Sequence, residues 1–354
     1  MKSFVTEVIY GRRRSFILGP ALYFLAMVYR GALLLRALLF RLPFFVKKLP
    51  CMVISVGNIT LGGTGKTPTV INIVGLLSMK GRRPAVVSRG YGRKNEDEVV
   101  VVSDGVHVQD DTVISGDEPV LIAMRLAGVP VVVGSDRYRA SLKAVSLNNA
   151  GAVVLDDGFQ HVRLQRDLDI VLLDAGEPFG NGKLFPSGIL REPLSALGRA
   201  HAVLITRADG CADLATLRAK LHRYTNARIF TSSHAPLDLV NIATGEVKQL
   251  FALKESKVLA FSGIARPESF QTSLKLLGAS VVAAYSYPDH HGYTKADLAA
   301  ILHKASVEKV SMIITTEKDA VRLRAVKPEG VWALRIFLKV VEADEWEQML
   351  TEAV

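Results

Sequence analysis

Residues 53–68, VISVGNITLGGTGKTP, constrain this chain more than any other stretch. A β-branched run (Val53, Ile54, Val56) reads as a buried strand, a glycine-rich turn follows, and a helical pattern begins at Lys66. Strand, loop and helix in that order are what a phosphate-binding loop requires, so the chemistry is expected to centre on a nucleoside triphosphate with Mg²⁺. Gly62, Gly63 and Gly65 let backbone N–H groups converge on phosphate oxygens, Lys66 can reach the β- and γ-phosphates, and the Thr67 hydroxyl can ligate Mg²⁺. Pro68 suits a first helical turn, where no N–H is needed. The expected nucleotide-binding set is Thr60, Leu61, Gly62, Gly63, Thr64, Gly65, Lys66 and Thr67.

The usual loop carries a further glycine where this chain has Thr60. The GGTGKT core resembles instead the variant loop of the branch that includes partitioning ATPases and dethiobiotin synthetase, although Leu61 stands where the partitioning ATPases carry a signature lysine. A glycine-rich surface turn is the competing reading. The strand before, the helix after and the Lys-Thr register count against it.

Downstream, residues 69–80 read as a helix ending at Gly81 and residues 84–90 as the next strand, which implies a right-handed crossover and a parallel sheet. The sequence SRGYGRK then puts Arg89, Arg93 and Lys94 at a strand's carboxyl end, as an anion contact or a solvated basic turn. EVVVVSDGVHVQ predicts a β-hairpin turned at Asp104-Gly105. In SGDEP, Asp117 fits an amino-terminal helix cap with Pro119 in the first turn. The apolar run 152–155 ends in Asp156-Asp157, the form of a Walker B strand that delivers carboxylates to Mg²⁺ opposite Thr67, with Gln160 and His161 just beyond. Residues 176–199 are too rich in glycine and proline for a long regular element; inside them, Arg191 could offer a guanidinium to phosphate or be an ordinary surface arginine. Residues 202–209 are expected to close the sheet.

The second half restarts a strand–turn–helix pattern at residue 257. Its loop PDHHGYT concentrates Asp289, His290 and His291, and a histidine braced by a carboxylate is a common acid–base arrangement. A hydrogen-bonded loop histidine is the plainer alternative. Lys318 in TTEKDAVRL reaches another strand terminus, to contact substrate or to cap a helix. The expected fold is α/β: a mostly parallel P-loop NTPase-like sheet with helices on both faces, then a smaller α/β/α domain. Four segments are expected: a membrane-associating segment at 1–48, a P-loop nucleotide-binding domain at 49–231, a linker at 232–256 and the smaller domain at 257–354.

The 354-residue chain has a formal charge of +10, which invites a nucleic-acid reading. The charge is localised, however: residues 1–50 carry nine Lys and Arg, among them Lys2, Arg30, Arg36 and Arg41, against Glu7 alone. The near-neutral remainder offers no extended surface for nucleic acid, and no partner protein is indicated. Cys51 and Cys211 have no metal-ligand spacing, as a reducing compartment allows. Between Arg14 and Arg30 lie fifteen mostly apolar residues interrupted by Gly19-Pro20, short for a spanning helix. The segment is expected to lie on a membrane or dip into it, with arginine stems snorkelling toward headgroups; a buried helix packed on the catalytic domain is the alternative. No small-residue site for signal cleavage follows it.

Taken together, GNITLGGTGKTP, SRGYGR, GDEP, LDDGFQH, REP, SGIARPESF, YPDHHGYT and TTEKDAVRL, in this order behind a basic apolar amino terminus, resemble the tetraacyldisaccharide 4'-kinase family across almost the whole chain. The resemblance implies transfer of the γ-phosphoryl of ATP to the 4'-hydroxyl of a tetraacyl glucosamine disaccharide 1-phosphate. The product would be lipid IVA, made at the cytoplasmic face of the inner membrane of Gram-negative bacteria. It implies two α/β/α domains joined by a β-stranded linker. By the family's pattern Asp117 is the catalytic base, His290 pairs with it across the interdomain cleft, and Asp289 supports His290. Lys66 and Thr67 map onto the phosphate and Mg²⁺ positions, Asp156 and Asp157 onto the metal-side carboxylates, and Arg191 onto a residue near the transferring phosphate. A membrane-riding, partitioning-type switch ATPase is the alternative from another class, and a soluble small-molecule kinase a third; Leu61 and the PDHHGYT region count against the switch.

Overall fold

Apolar β-branched runs become the buried strands of a single thirteen-stranded sheet. The computed structural model describes residues 4–40, 42–91, 93, 95–324 and 326–352. Lys2, Arg41 and Lys94 lie outside the described residues. The chain opens with helices α1 (Phe4–Ile9) and α2 (Leu18–Leu39), then β1 (Met52–Asn58), α3 (Lys66–Met79), β2 (Pro84–Ser88) and β3 (Val100–Asp104). Helices α4 (Thr112–Ser115) and α5 (Asp117–Arg125) precede β4 (Pro130–Val133), α6 (Arg137–Asn148), β5 (Ala152–Asp156), β6 (Leu168–Asp174), β7 (Ala202–Thr206) and α7 (Leu214–Leu221). The second half contains β8 (Arg228–Asn241), β9 (Val247–Lys248), β10 (Lys257–Ser262), α8 (Pro267–Leu276), β11 (Ser280–Ser286) and α9 (Lys295–Val307). It ends with β12 (Met312–Thr316), α10 (Glu317–Leu323), β13 (Val331–Val340) and α11 (Ala343–Glu352).

Strand order is β11-β10-β12-β13-β8-β7-β6-β1-β5-β2-β4-β3, with β9 beside β8. Pairing is parallel except at β3–β4, β8–β13 and β8–β9. Successive side chains of one strand enter cores on opposite faces: in β6, Ile170 and Leu172 pack with Val70, Ile73 and Val74 of α3, while Val171 and Leu173 pack with Leu217 and Leu221 of α7. The second half repeats the plan, with Val258 and Ala260 of β10 facing α8 while Leu259 and Phe261 face α9. The fold is therefore mixed α/β with helices on both faces.

Three expectations change. Residues 202–209 do not close the sheet, because Arg228–Thr231 of β8 continue it in parallel beside β7. From Ser232 on, the same strand pairs antiparallel with β13, so one chain segment joins the two halves. The hairpin at Asp104-Gly105 keeps its turn, where Asp104 Oδ1 accepts from the Val106 and His107 amides. Its second arm is only a Ser103–Val108 bridge, and β3 pairs with β4 instead. Finally, Gly19-Pro20 does not interrupt the amino-terminal helix: Pro20 lies in the first turn of α2, where its missing N–H costs nothing, and the helix runs for 22 residues.

By length and composition α2 could cross a membrane, and only 11% of its most apolar window is buried. Leu22 and Ala26 are buried, while Phe24, Leu35 and Leu38 are exposed. One side thus packs on the protein and the rest remains apolar and uncovered.

The last helix returns to the first half. Trp346 of α11, 1% exposed, meets Phe230 edge-on at 5.1 Å and donates from Nε1 to Asn72 Oδ1 of α3 at 3.0 Å. Trp346→Ala removes this packing and the bond to the half-buried Asn72 amide, so chemical denaturation should show a loss of about 3–5 kcal/mol.

Candidate active site

The carboxyl ends of β1, β5 and β6 meet at one edge of the sheet, where ligands bind in parallel α/β folds. At the end of β1, Asn58 Nδ2 donates to Thr64 Oγ1 at 3.1 Å, and Thr206 Oγ1 of β7 donates to the Thr64 carbonyl at 2.9 Å. Gly65, at φ 87°, turns the chain into α3 in a conformation that a side chain resists, and a Cβ there would lie 2.9 Å from His234. No side chain caps α3, which leaves its first N–H groups for an anion. The Leu61 N–H is taken by the Ile189 carbonyl at 2.8 Å and Thr60 bridges Leu190. Free loop amides therefore begin after these two residues, which shape the loop from behind.

Asp156 and Asp157 at the end of β5 have different surroundings. Asp156 is buried, accepts from Ser88 Oγ at 2.9 Å through Oδ2, and among the described residues has no partner at Oδ1. Burial, then the neighbouring Glu118 charge, push its pKa up to about 6. Asp157, at φ 54°, receives both terminal nitrogens of Arg191 at 2.8 and 3.0 Å, and Lys66 Nζ lies 3.5 Å away. Burial would raise its pKa, but Lys66 and the Arg191 fork outweigh it and hold the group at about 2. Arg191 also donates to Asn58 Oδ1 at 3.0 Å, so it is no ordinary surface arginine.

Asp117 does not cap its helix. Gly116 occupies the cap position of α5 with no side-chain bond, and the Asp117 carboxylate points across the groove to the second half. His290 Nδ1 lies 3.1 Å from Asp117 Oδ2, and Arg322 Nε of α10 donates to the same oxygen at 2.6 Å. Burial pushes Asp117 up, yet the bonds from His290 and Arg322 hold it below the usual carboxylate range. The Asp117 contact raises His290. Asp289 is a weaker brace than expected: Oδ1 accepts from the His290 N–H at 3.1 Å but is 4.0 Å from Nε2. His290 sits at φ 61°, a strained conformation for this residue type.

Other singled-out residues take structural partners. His291 pairs with Asp297 at 3.1 Å and stacks on Tyr287. Lys318 pairs with Glu118 at 2.7 Å, and Arg125 with Glu317 at 2.7 Å, so α5 and α10 are tied at several points. Arg93 turns inward to the carbonyls of Glu96 and Glu98, whereas Arg89 is exposed. Gln160 donates to the Asn58 carbonyl at 2.8 Å; His161, desolvated and near Arg137, falls to about 4. Ser88, Arg137 and Arg322, which the local motifs do not single out, also reach the site. Arg137, buried below the Asp156-Asp157 turn, is lowered to about 10 by desolvation and remains charged at neutral pH. Arg322 had a visible signal, since it lies one helical turn beyond Lys318 and on the same face.

Known proteins match this chain in sequence and in fold. The family model described as Tetraacyldisaccharide-1-P 4'-kinase matches residues 18–354. Tetraacyldisaccharide 4'-kinases of Syntrophus aciditrophicus (strain SB) and Anaeromyxobacter dehalogenans (strain 2CP-C) are 43% identical over 316 residues and 45% identical over 309 residues. These matches cover 86% and 87% of this chain and 84% and 80% of those proteins. The crystal structure of LpxK from Aquifex aeolicus, an "apo" form in complex with ATP, matches with a TM-score of 0.79 at 32% identity, over 95% of this chain and 99% of that one. A match along nearly the full length, in sequence and in fold, shows that this chain belongs to the tetraacyldisaccharide-1-P 4'-kinase family.

Proposed function

We propose that this protein transfers the γ-phosphoryl group of ATP to the 4'-hydroxyl of a tetraacyl disaccharide 1-phosphate, giving ADP and the 1,4'-bisphosphorylated lipid IVA. One observation carries the reading beyond nucleotide binding: Asp117 and His290, from opposite halves of the chain, meet 3.1 Å apart, and Glu118 next to Asp117 feels the charges of both His290 and the phosphate loop's Lys66. Among the described residues no hydrogen bond is made to Asp117 Oδ1, which leaves that oxygen for an acceptor hydroxyl.

In this reading the amides of residues 62–67 and Lys66 cradle the triphosphate. The Thr67 hydroxyl and the Asp156 and Asp157 carboxylates are hard oxygen donors that suit Mg²⁺, and the unpartnered Asp156 Oδ1 fits such a role. Mg²⁺, when bound, neutralises charge on the phosphate oxygens. Arg191 is placed to exchange its Asp157 contact for a phosphate oxygen. The 4'-hydroxyl oxygen forms the new bond to the γ-phosphorus while the bond to the β–γ bridging oxygen breaks. The hydroxyl proton passes to the Asp117–His290 pair. Residues 49–231 serve as the nucleotide domain, residues 257–354 carry His290 to it, and β8, which runs from the end of the first into the linker at 232–256, joins them. Helix α2 meets the membrane beside this site: the Tyr29 hydroxyl donates to the Arg191 carbonyl at 2.8 Å, and Arg36 lies 3.4 Å from Glu192. We place the enzyme at the cytoplasmic face of the bacterial inner membrane, where both ATP and the lipid are within reach.

The deciding experiment follows labelled γ-phosphate from ATP to tetraacyl-disaccharide 1-phosphate in mixed micelles, with and without Mg²⁺. A Mg²⁺-dependent bisphosphorylated lipid is expected; release of inorganic phosphate alone, unchanged by lipid, would refute the kinase reading. Asp117→Ala and His290→Ala should each lower kcat by about 10²–10⁴-fold with little change in the KM for ATP. Lys66→Ala should impair both. Glutamate at Phe24, Leu35 and Leu38 together should abolish sedimentation with anionic vesicles without unfolding the protein, because all three side chains are exposed.

A further inference from the structure

Arg322 is 94% removed from solvent at its side chain, of which 6% stays exposed, and it is the most heavily bonded group around Asp117. Nε donates to Asp117 Oδ2 at 2.6 Å, Nη1 to Asp319 Oδ1 at 3.1 Å and to the Gly263 carbonyl at 3.3 Å, and Nη2 lies 3.2 Å from His290 Nδ1. Asp319 is itself fixed from three sides. Its Oδ1 accepts from the Gly263 N–H at 3.0 Å and the Tyr293 hydroxyl at 2.9 Å, and its Oδ2 from Thr316 Oγ1 at 2.6 Å. The guanidinium plane is therefore set by the second half before Asp117 meets it.

The contacts at His290 Nδ1 conflict in an informative way. A guanidinium only donates and a carboxylate only accepts, yet Nδ1 faces both, at 3.2 and 3.1 Å. With a proton, Nδ1 donates to Asp117 Oδ2; without one, it accepts from Arg322 Nη2. The ring thus has a partner in either protonation state and need not move as the proton leaves or arrives.

We propose that Arg322 is a positioning residue for phosphoryl transfer: its Nε–H holds Asp117 Oδ2 while its Nη2 alternates with Asp117 as the partner of His290 Nδ1, presenting Asp117 Oδ1 to the acceptor throughout proton transfer. The inference rests on the assignment of Asp117 and His290 made above. It explains why α10 is tied to α5 along its length, through Glu118–Lys318 and Arg125–Glu317, since the clamp works only while the two helices hold register. The other charges facing the pair are Asp289 on the loop, Lys318 and Asp319 on α10 and Glu118 on α5. Arg322 favours ionised Asp117 and opposes charged His290. Its removal raises both groups, so the acidic limb of the rate profile moves to higher pH.

The test compares pH profiles of kcat/KM for the lipid acceptor, in mixed micelles, for the full-length protein, Arg322→Gln and Arg322→Lys. Arg322→Gln is expected to shift the acidic limb upward by about one pH unit and to lower kcat at least tenfold (about 1.4 kcal/mol), with the KM for ATP unchanged. Arg322→Lys keeps the charge and loses the fork, so the limb should stay in place while kcat still falls. An unmoved limb in Arg322→Gln would reduce the residue to a structural tie and overturn the inference alone. Should Arg322→Gln not fold, Arg322→Lys decides, because wild-type kcat in that variant also overturns it. Failure of the unsubstituted protein to phosphorylate the lipid would instead overturn the functional reading, and the inference with it.

Discussion

Everything at the candidate site depends on how β8 pairs. Its first four residues lie parallel to β7 in the nucleotide half, and the residues from Ser232 onward lie antiparallel to β13 in the second half. One continuous strand thus carries hydrogen bonds of both halves, and backbone geometry sets how the two sheets meet. From that junction α5 and α10 come to face each other, and the loop bearing His290 reaches Asp117. The return of α11 onto α3 adds a second tie, because Trp346 packs on the helix whose first turn follows the phosphate loop.

Charge at the sheet edge is arranged in two groups with different tasks. Around the loop, Lys66 and Arg191 both converge on Asp157, keeping it ionised, while Asp156 beside it is pushed upward by burial. Both cations are thereby held in place by one carboxylate. On the acceptor side, Asp117 is ionised between a histidine and an arginine contributed by the other half.

The amino-terminal helix connects chemistry to membrane. Its packed side reaches the core under β6 and β7, and its Tyr29 and Arg36 contact the Arg191-Glu192 pair. Buried Glu192 is also matched by Arg199 at 2.8 Å. The same short segment therefore joins the apolar helix to the arginine that grips Asp157. An apolar helix of this length remains largely uncovered because its remaining surface suits a bilayer better than water.

The amino-acid sequence by itself determined the local elements: the strand–loop–helix at residues 53–68, the buried strand ending in Asp156-Asp157, and the family to which their order points. These are short-range patterns, in which β-branched runs, glycines with positive φ and a Lys-Thr pair act within a few residues of each other. The roles of side chains that meet over long sequence separations were decided only by the tertiary structure. Asp117 read locally as a helix cap, and it is turned from that role by His290 and Arg322, which lie 173 and 205 positions further along the chain. Asp289 read as the brace of His290, yet a distant arginine holds the imidazole more closely. The physical reason is that a carboxylate goes to its strongest available donors. A charged guanidinium and an imidazole outweigh the helix's own amides, and which donors come within reach depends on how β8 joins the two halves.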